Sequence, residues 1–294
     1  MSLKITDNIW CLGNRLFHFF VVGGRDAILV EGAVSGAVAS LSRQWPALCP
    51  QPEVETIIAM HAHFDHICGI PHLLDLFPQA RVAAAPYAAQ VMQKEKVLKG
   101  FFEQDQKMVG VLREMGLLDQ DVQPPQPQAI PVEIILRDGD ILNSGDGCSL
   151  EIIAAPGHSP CSLGAYMPED KVLFVSDVAG FQISDKELFP IFFQGYEMYM
   201  DSIHRMQGYA ARIVAPAHGA LWSGEHIPAF YERALQAARG AFDWIRAMSE
   251  AGIEHQQMAD KLFKHYYRGD LCIYTPENIN LCVNLLIKRV QECL

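Results

Sequence analysis

The first part of the chain consists of short apolar runs separated by turns that contain glycine. Residues 8–12, 17–22 and 27–30 are apolar and rich in side chains that favour β-structure. Glu31 and Gly32 follow the third run. Runs of this length, bounded by turn residues, predict three β-strands.

Helical periodicity begins after these strands. Residues 35–45 predict a helix, with Ser35 as its N-cap and Pro46 just after its end. A β-prone run over 54–59 predicts a strand, and the spacing of apolar residues over 66–77 predicts a second helix.

The pattern over 86–117 is the longest helical one in the first half of the chain. Gly116 suits its C-terminal end. Because amphipathic faces usually exist to be buried, we expect core packing rather than ligand binding for most of its apolar stripe. The stripe consists of Phe101, Met108, Leu112 and Met115.

A proline-rich connector over 121–131 divides the chain into two halves. Further strands are predicted at 132–136, 148–154, 161–166, 171–175 and 212–215. Helices are predicted at 226–251, 255–267 and 276–292. We therefore predict a main domain over 1–225, with a helical insert over about 86–120, and a C-terminal helical extension over 226–294 that packs near the active-site cleft.

Composition narrows the classes of protein to consider. The chain has 294 residues, half of them hydrophobic, and a net charge of −11, which disfavours binding to nucleic acid. Its eight cysteines are widely spread and suit reduced thiols rather than a disulfide scaffold. We see no secretory signal and no apolar stretch of membrane-spanning length, so we expect a cytoplasmic protein without a membrane partner.

The most informative stretch follows the strand predicted at 54–59. His61, His63, Asp65 and His66 form the pattern H-x-H-x-D-H. Imidazole and carboxylate together suit zinc and neighbouring transition metals. His61 and His63 can converge on one ion, and Asp65 and His66 can turn towards a second. The alternative is a polar loop with surface histidines.

Three later residues extend this pattern. His158, Asp177 and His218 each follow a predicted strand and lie beside glycine, proline or serine. Taken alone, each is weak evidence for a metal site; an aspartate at a strand end, for example, is more often a turn or cap residue. Their shared position at strand ends, together with the need of the first motif for further ligands, makes them candidate metal ligands.

This order of residues resembles the metallo-β-lactamase fold superfamily over about residues 5–225. The resemblance implies an α+β fold, a four-layer αββα sandwich whose halves are related by pseudo-symmetry, with metals at one sheet edge. It also implies that His61, His63 and His158 hold a first metal and that Asp65, His66 and His218 hold a second. Asp177 would bridge them.

The resemblance implies a dinuclear hydrolase with two divalent ions, zinc before iron or manganese. Such a pair lowers the pKa of a bridging water towards about 7 and gives a hydroxide nucleophile. Asp65 would act catalytically by binding this hydroxide and passing on its proton. No protein nucleophile is needed.

The ligand set, without a metal-site cysteine, resembles glyoxalase II-like thioesterases, lactonases and phosphodiesterases, and the layout is similar to PqsE-like thioesterases. Three residues depart from the common pattern: Met60, Glu31 and Ser176, the last in place of a glycine. No basic cluster for a glutathione thioester is visible. Cys68 resembles a buried small hydrophobe rather than a ligand.

The aromatic stretch over 188–200 either lines a substrate pocket or covers the core. With Phe192, Phe193 and Tyr196 as candidate substrate-binding residues, the first hypothesis is hydrolysis of a small-molecule ester, thioester or lactone with an apolar part. A phosphodiesterase is the alternative enzyme, with Arg205 and Lys186 as candidate cationic groups.

Two further classes stay open. One is a non-catalytic metal-binding regulator, which the complete ligand set disfavours. The other is a di-iron redox enzyme, which His63 and the lack of a following flavin domain disfavour. A homodimer through the tail or the 86–117 helices is a further expectation.

Overall fold

Two β-sheets pack against each other in the computed structural model, which describes residues 3–118, 122–184 and 186–294. Helices cover both outer faces, so the predicted α+β sandwich with C-terminal helices is confirmed. The rings of Phe20 and Phe174, one from each sheet, lie 5.1 Å apart in the shared core. The sequence positions at the predicted junction between insert and connector, 119–121, lie outside the described residues.

The first sheet is formed by the first seven strands in chain order. Its first four strands are antiparallel, and the remaining pairs are parallel, which requires helical crossovers between them. The strands are β1 (Leu3–Lys4), β2 (Ile9–Gly13), β3 (His18–Val22), β4 (Ala27–Val30), β5 (Val54–Ala59), β6 (Arg81–Ala84) and β7 (Ile134–Ile135). The helices between them are α1 (Ser35–Gln44), α2 (Phe64–Ile67), α3 (Ile70–Leu76), α4 (Pro86–Val91) and α5 (Glu95–Glu114).

The second sheet is antiparallel except for one parallel pair, β11 with β14. A small hairpin, β12 with β13, leaves it between these two strands. The strands are β8 (Ile141–Asn143), β9 (Ser149–Ala154), β10 (Leu163–Met167), β11 (Val172–Ser176), β12 (Phe181–Gln182), β13 (Leu188–Phe189), β14 (Ile213–Pro216) and β15 (Trp222–Ser223). The later helices are α6 (Tyr196–Gln207), α7 (His226–Glu250), α8 (His255–Tyr266) and α9 (Pro276–Gln291).

The predicted N-cap of α1 is wrong. Val34 is the N-cap and makes no side-chain capping bond, while Ser35 is the first helical residue. The capping role passes to Asp105 of α5, whose buried carboxylate accepts hydrogen bonds from the backbone N–H of Ser35 at 2.9 Å and from its hydroxyl at 2.5 Å. A carboxylate seventy residues away thus satisfies donors that a local side chain usually serves.

The long helical patterns are interrupted in the structure. The pattern over 86–117 divides into α4 and α5, and the one over 66–77 divides at Gly69 between α2 and α3. Met108 and Leu112 are buried as predicted, but Met115 is 41% exposed because it lies at the C-cap of α5, where the helix leaves the core. Within the described residues, no helix is both long and apolar enough to cross a bilayer.

Candidate metal centre and cavity

Four loops meet at one edge of the sandwich, and each follows the carboxyl end of a strand. The loop after β5 carries the H-x-H-x-D-H motif. The loops after β9, β11 and β14 carry His158, Asp177 and His218. Because a paired strand fixes the start of its loop, the two sheets place side chains from distant parts of the sequence at one point. The structure brings all seven predicted residues together there.

Three imidazoles form the first group. Nε2 of His61 lies 3.1 Å from Nδ1 of His63 and 3.1 Å from Nε2 of His158, and Nε2 of His158 lies 2.9 Å from Nδ1 of His63. Burial lowers the pKa of all three, that of His63 to about 3, so they are neutral at physiological pH. Neutral imidazole is the form that binds metal ions.

A carboxylate and two imidazoles form the second group. Nε2 of His66 lies 3.3 Å from Nε2 of His218, and Oδ2 of Asp65 lies 3.7 Å and 3.8 Å from these two nitrogens. Burial lowers the pKa of His66, but the carboxylates of Glu31, Asp177 and Asp65 outweigh it and hold this pKa well above its usual value.

Asp177 lies between the two groups. Its Oδ2 is 3.4 Å from Nε2 of both His158 and His66, and its Oδ1 is 3.5 Å from Nε2 of His218. Burial raises the pKa of Asp177, but His66, His218 and His158 hold it well below the usual carboxyl range. Asp177 is therefore an ionised carboxylate whose Oδ2 faces both groups and whose Oδ1 faces the second.

The outward ring nitrogens are held by oxygen atoms. Nδ1 of His158 lies 2.9 Å from the carbonyl oxygen of Ile191, and Nδ1 of His218 lies 2.6 Å from that of Leu16. A carbonyl accepts but does not donate, so in both rings Nδ1 carries the proton and the Nε2 lone pair points inward. Nδ1 of His66 is likewise 2.8 Å from Oε2 of Glu31.

These contacts fit a pair of divalent cations. Inward lone pairs about 3 Å apart repel one another unless a cation lies between them. Oδ1 of Asp177 is buried without a hydrogen-bond partner in the described part of the chain. Imidazole and carboxylate in groups of three, with a shared carboxylate, form a donor set suited to zinc and its neighbours.

The backbone behind the site is strained at non-glycine residues, among them Glu31 and Ser176. Glu31 has a φ of 82° and Ser176 a φ of 45°, in the left-handed region that favours glycine. A Cβ at Gly32, which follows Glu31, would lie 2.5 Å from the carbonyl oxygen of His66, so this loop packs directly on the motif backbone. Such strain persists where the surrounding structure imposes it, often at functional sites.

The cluster opens on a cavity of about 300 Å³. One side of the wall comes from α5 and α9, and the other comes from the hairpin β12–β13 and the loop that follows it. Most of the wall is aromatic or aliphatic. The metal-site residues at its base are His63, Asp65, His158 and Asp177, and the apolar wall includes Phe64, Phe101, Phe181, Phe189, Ile191, Phe193, Leu271, Ile279, Leu281 and Leu285.

A family model described as the metallo-beta-lactamase superfamily matches residues 18–218. The chain belongs to the metallo-beta-lactamase superfamily. This match confirms the family resemblance from which the ligand roles were inferred. The matched span contains all seven clustered residues and ends at His218.

Relatives within the superfamily are distant. The chain is 27% identical over 169 residues to an atrochrysone carboxyl ACP thioesterase of Aspergillus fumigatus, covering 57% of this chain and 39% of that protein. It is 28% identical over 189 residues to an acyl-coenzyme A thioesterase, MBLAC2, of Gallus gallus, covering 59% and 61%. The chain thus spans less than two thirds of either relative.

A solved structure shows the same fold over nearly the whole chain. The crystal structure of a beta-lactamase domain protein from Burkholderia ambifaria superposes with a TM-score of 0.69 at 15% identity, covering 99% of this chain and 89% of that one. At this identity the likeness concerns the fold alone.

The three aromatic residues predicted to bind substrate do not share one environment. Phe193 lines the cavity, with its ring 5.3 Å from that of His158. Phe192 is fully buried and its ring lies 5.4 Å from that of Tyr196, which in turn lies 4.2 Å from Phe242 of α7. Phe192 lies in the core, and Tyr196, the first residue of α6, packs against the core beside α7. Neither is among the residues that line the cavity.

The sequence pattern missed several residues of the site. Tyr274, between α8 and α9, donates a hydrogen bond from its hydroxyl to Oδ2 of Asp65 at 2.6 Å. Gln104 of α5 and Asn278 of α9 also line the cavity and are joined by a hydrogen bond of 2.7 Å. No local motif marks these residues, since each becomes part of the site only when its helix docks.

Proposed function

We propose that the protein hydrolyses an acyl thioester whose acyl part is apolar, with two divalent cations bound by the seven-residue cluster. The observation that carries the proposal is the direct opening of this cluster on an apolar cavity of about 300 Å³. A cavity of this size and lining suits a small organic acyl group.

The ligand assignment follows from the distances. The first cation would be held by His61, His63 and His158, the second by Asp65, His66 and His218, and Asp177 would contact both. Two such cations lower the pKa of a water towards about 7 and so supply a nucleophile at neutral pH. Zinc is our first expectation, and iron and manganese accept the same donors.

The chemistry adds water across the thioester. A C–O bond forms at the acyl carbon, the C–S bond breaks, and the products are a carboxylic acid and a thiol. Asp65, which lines the cavity and faces His66 and His218, would accept the proton of the water. The apolar wall would orient the acyl chain and exclude bulk water from the reacting carbon.

The lining disfavours a phosphodiester as the group that reacts in the cavity. Within the part of the chain that the structure describes, no lysine or arginine lines the cavity. Arg205, considered for a phosphodiesterase, is 2.8 Å from a carboxylate oxygen of Asp138 and donates to the carbonyl oxygen of Ala154. Lys186 lines a separate depression beside α7. A phosphodiester would therefore lack a cationic side chain at this wall.

The names of two relatives give further support. One acts on acyl groups carried by an acyl carrier protein and the other on acyl-coenzyme A, according to their names. Both substrates are thioesters. At 27% and 28% identity these likenesses favour thioesters over esters and lactones as the first class to assay.

The test is a substrate panel on zinc-loaded protein, with short to medium acyl thioesters, aryl esters, lactones and a phosphodiester. We expect thioesters to be preferred, and turnover to disappear on chelation and return with zinc. Preference for the phosphodiester would contradict the proposal. Two bound metals with no turnover on any class would instead favour a non-catalytic regulator.

A cavity variant links turnover to the apolar wall. Leu285→Trp places a larger ring in the cavity lining, and we expect the longer thioesters to lose turnover before the shorter ones. Ile141→Trp, at an exposed position of β8, is the matched control and should leave the chain-length profile unchanged. Equal losses for all chain lengths in Leu285→Trp would contradict this role of the cavity.

The remaining expectations stay predictions. They are a small-molecule partner without nucleic acid or membrane, a homodimer, and a cytoplasmic location.

A further inference from the structure

The C-terminal extension contributes one polar side chain directly to the metal cluster. Tyr274 lies between the 3₁₀ turn Gly269–Ile273 and α9, and is the N-terminal neighbour of the α9 cap residue Thr275. Its hydroxyl donates to Oδ2 of Asp65 at 2.6 Å. This same oxygen faces His66 and His218 at 3.7 Å and 3.8 Å, so it is the oxygen directed at the second group of ligands.

Two aromatic rings and a backbone hydrogen bond hold Tyr274 in place. Phe64 and Phe181 contact it edge-on, with ring centroids at 6.1 Å and 5.5 Å. Its backbone carbonyl accepts a hydrogen bond of 3.0 Å from the hydroxyl of Tyr267. The side chain is 8% exposed, so water does not compete freely for the bond to Asp65. A side chain held by such packing can fix the geometry of the carboxylate that it contacts.

The phenol also stays a donor. A carboxylate oxygen only accepts, so the hydroxyl is the donor of the 2.6 Å bond to Oδ2 of Asp65. A carboxylate oxygen has two lone pairs, so Oδ2 can accept this bond and still present one lone pair to His66 and His218. Tyr274 therefore restricts the rotation of Asp65 without displacing a cation.

We propose that Tyr274 is a positioning residue that orients Asp65 and thereby sets the affinity of the second cation, so that docking of the C-terminal extension completes the metal site. The inference rests on the metal-binding part of the proposed function and not on the identity of the substrate. Groups that orient metal ligands in this way typically change metal affinity by about 10- to 100-fold when removed.

The test is zinc titration of metal-free Tyr274→Phe against a chromophoric chelator, which yields two successive dissociation constants. We expect one of the two dissociation constants to rise by about 10- to 100-fold and the other to change little. If a substrate is known, kcat should fall while KM stays nearly constant. Because the titration needs no substrate, its result stands apart from the success or failure of the thioester assay.

Two further variants make the result specific. Tyr267→Phe removes only the hydrogen bond to the Tyr274 carbonyl. It should weaken the binding of the same zinc ion, to a smaller extent than Tyr274→Phe does. Tyr231→Phe removes an equally buried hydroxyl that has no partner among the described residues, and should leave both constants unchanged. Unchanged zinc constants in Tyr274→Phe would overturn the proposal. A rise in KM with unchanged zinc constants would overturn it too, and would assign the hydroxyl to the substrate.

Discussion

Oε2 of Glu31 lies 2.8 Å from Nδ1 of His66, and both side chains are buried behind the metal cluster. The other carboxylate oxygen, Oε1, has no hydrogen-bond partner in the described part of the chain. A buried carboxylate with one unpaired oxygen is costly unless positive charge lies nearby. Glu31 is therefore suited to a site that carries cations, which it reaches through the His66 ring.

This pairing predicts that Glu31→Ala weakens metal binding. The His66 ring would lose the acceptor that fixes its orientation, and we expect zinc affinity to fall by about 10- to 100-fold. Glu31→Gln keeps an acceptor oxygen but not the charge. Its zinc affinity should lie between that of the parent protein and that of Glu31→Ala. Zinc titration measures both variants. Glu133→Gln, which alters an acceptor of the Val82 backbone N–H, is the control, and an equal loss there would contradict the assignment.

Metal binding should also stabilise the fold. A ligand that binds only the native state adds about 4 kcal/mol at a thousand times its dissociation constant. We expect zinc to raise Tm and chelation to reverse the rise. Asp177→Ala should lose most of this response because both groups share its carboxylate. Asp138→Ala removes a half-exposed carboxylate and serves as the control. Two bound zinc ions and an undiminished rise in Asp177→Ala would show that Asp177 does not bridge the groups.

Ser176 is expected to be replaceable by glycine with a gain in stability. Its φ of 45° is strained for any residue with a Cβ, and its buried hydroxyl has no hydrogen-bond partner among the described residues. Ser176→Gly should raise the free energy of unfolding by about 1 kcal/mol through relief of this strain. Ser176→Ala keeps the backbone strain and removes only the hydroxyl, so it shows the contribution of the hydroxyl to stability. Urea unfolding measures the stability of both variants. A glycine variant less stable than the alanine variant would contradict the explanation by backbone strain.

Asp105 predicts a pH dependence of stability. Burial raises its pKa from 3.8 to about 6, although the bonds from Ser35 oppose the shift. The native state therefore holds this proton more tightly than the unfolded chain. The stabilisation is fully present below pH 3.8 and is lost as the pH rises through about 6. The shift corresponds to a loss on the order of 3 kcal/mol.

Asp105→Asn tests this sign. The amide of the variant does not titrate. The stability of Asp105→Asn relative to the parent protein should therefore improve as the pH rises from about 4 to about 7. Urea unfolding of both metal-free proteins at each pH gives the difference and cancels the other titrating groups. Asp138→Asn, at a half-exposed position, should show no such rise. A difference that stays constant with pH would contradict the burial effect at Asp105.

Much of the fold was predictable because its signals are local. Apolar runs followed by turns located β5, β9, β11 and β14, and the candidate ligands stood directly after these strands. Tail helices predicted at 226–251, 255–267 and 276–292 differ from α7, α8 and α9 by one residue at their C-terminal ends. The period of side-chain alternation in strands and helices is a property of neighbouring residues, so it can be recognised without knowledge of the tertiary structure.

The capping of α1 and the division of the aromatic stretch were decided only by the tertiary structure. Ser35 had the residue type of an N-cap, yet Asp105 caps the helix from α5. Phe192 and Phe193 have the same side chain, yet one is in the core and the other in the cavity. Their environments depend on which helices pack over them, and no local pattern encodes that packing.

The sequence by itself determined the fold class and the seven residues that gather at the sheet edge. The tertiary structure decided what surrounds them: Glu31 behind His66, Tyr274 on Asp65, and the apolar wall from α5 and α9. Tyr274 and Asp65 are separated by 209 residues. A hydrogen bond between them forms only after the whole chain has packed, because its length of 2.6 Å depends on the docking of an entire helical extension against the sandwich.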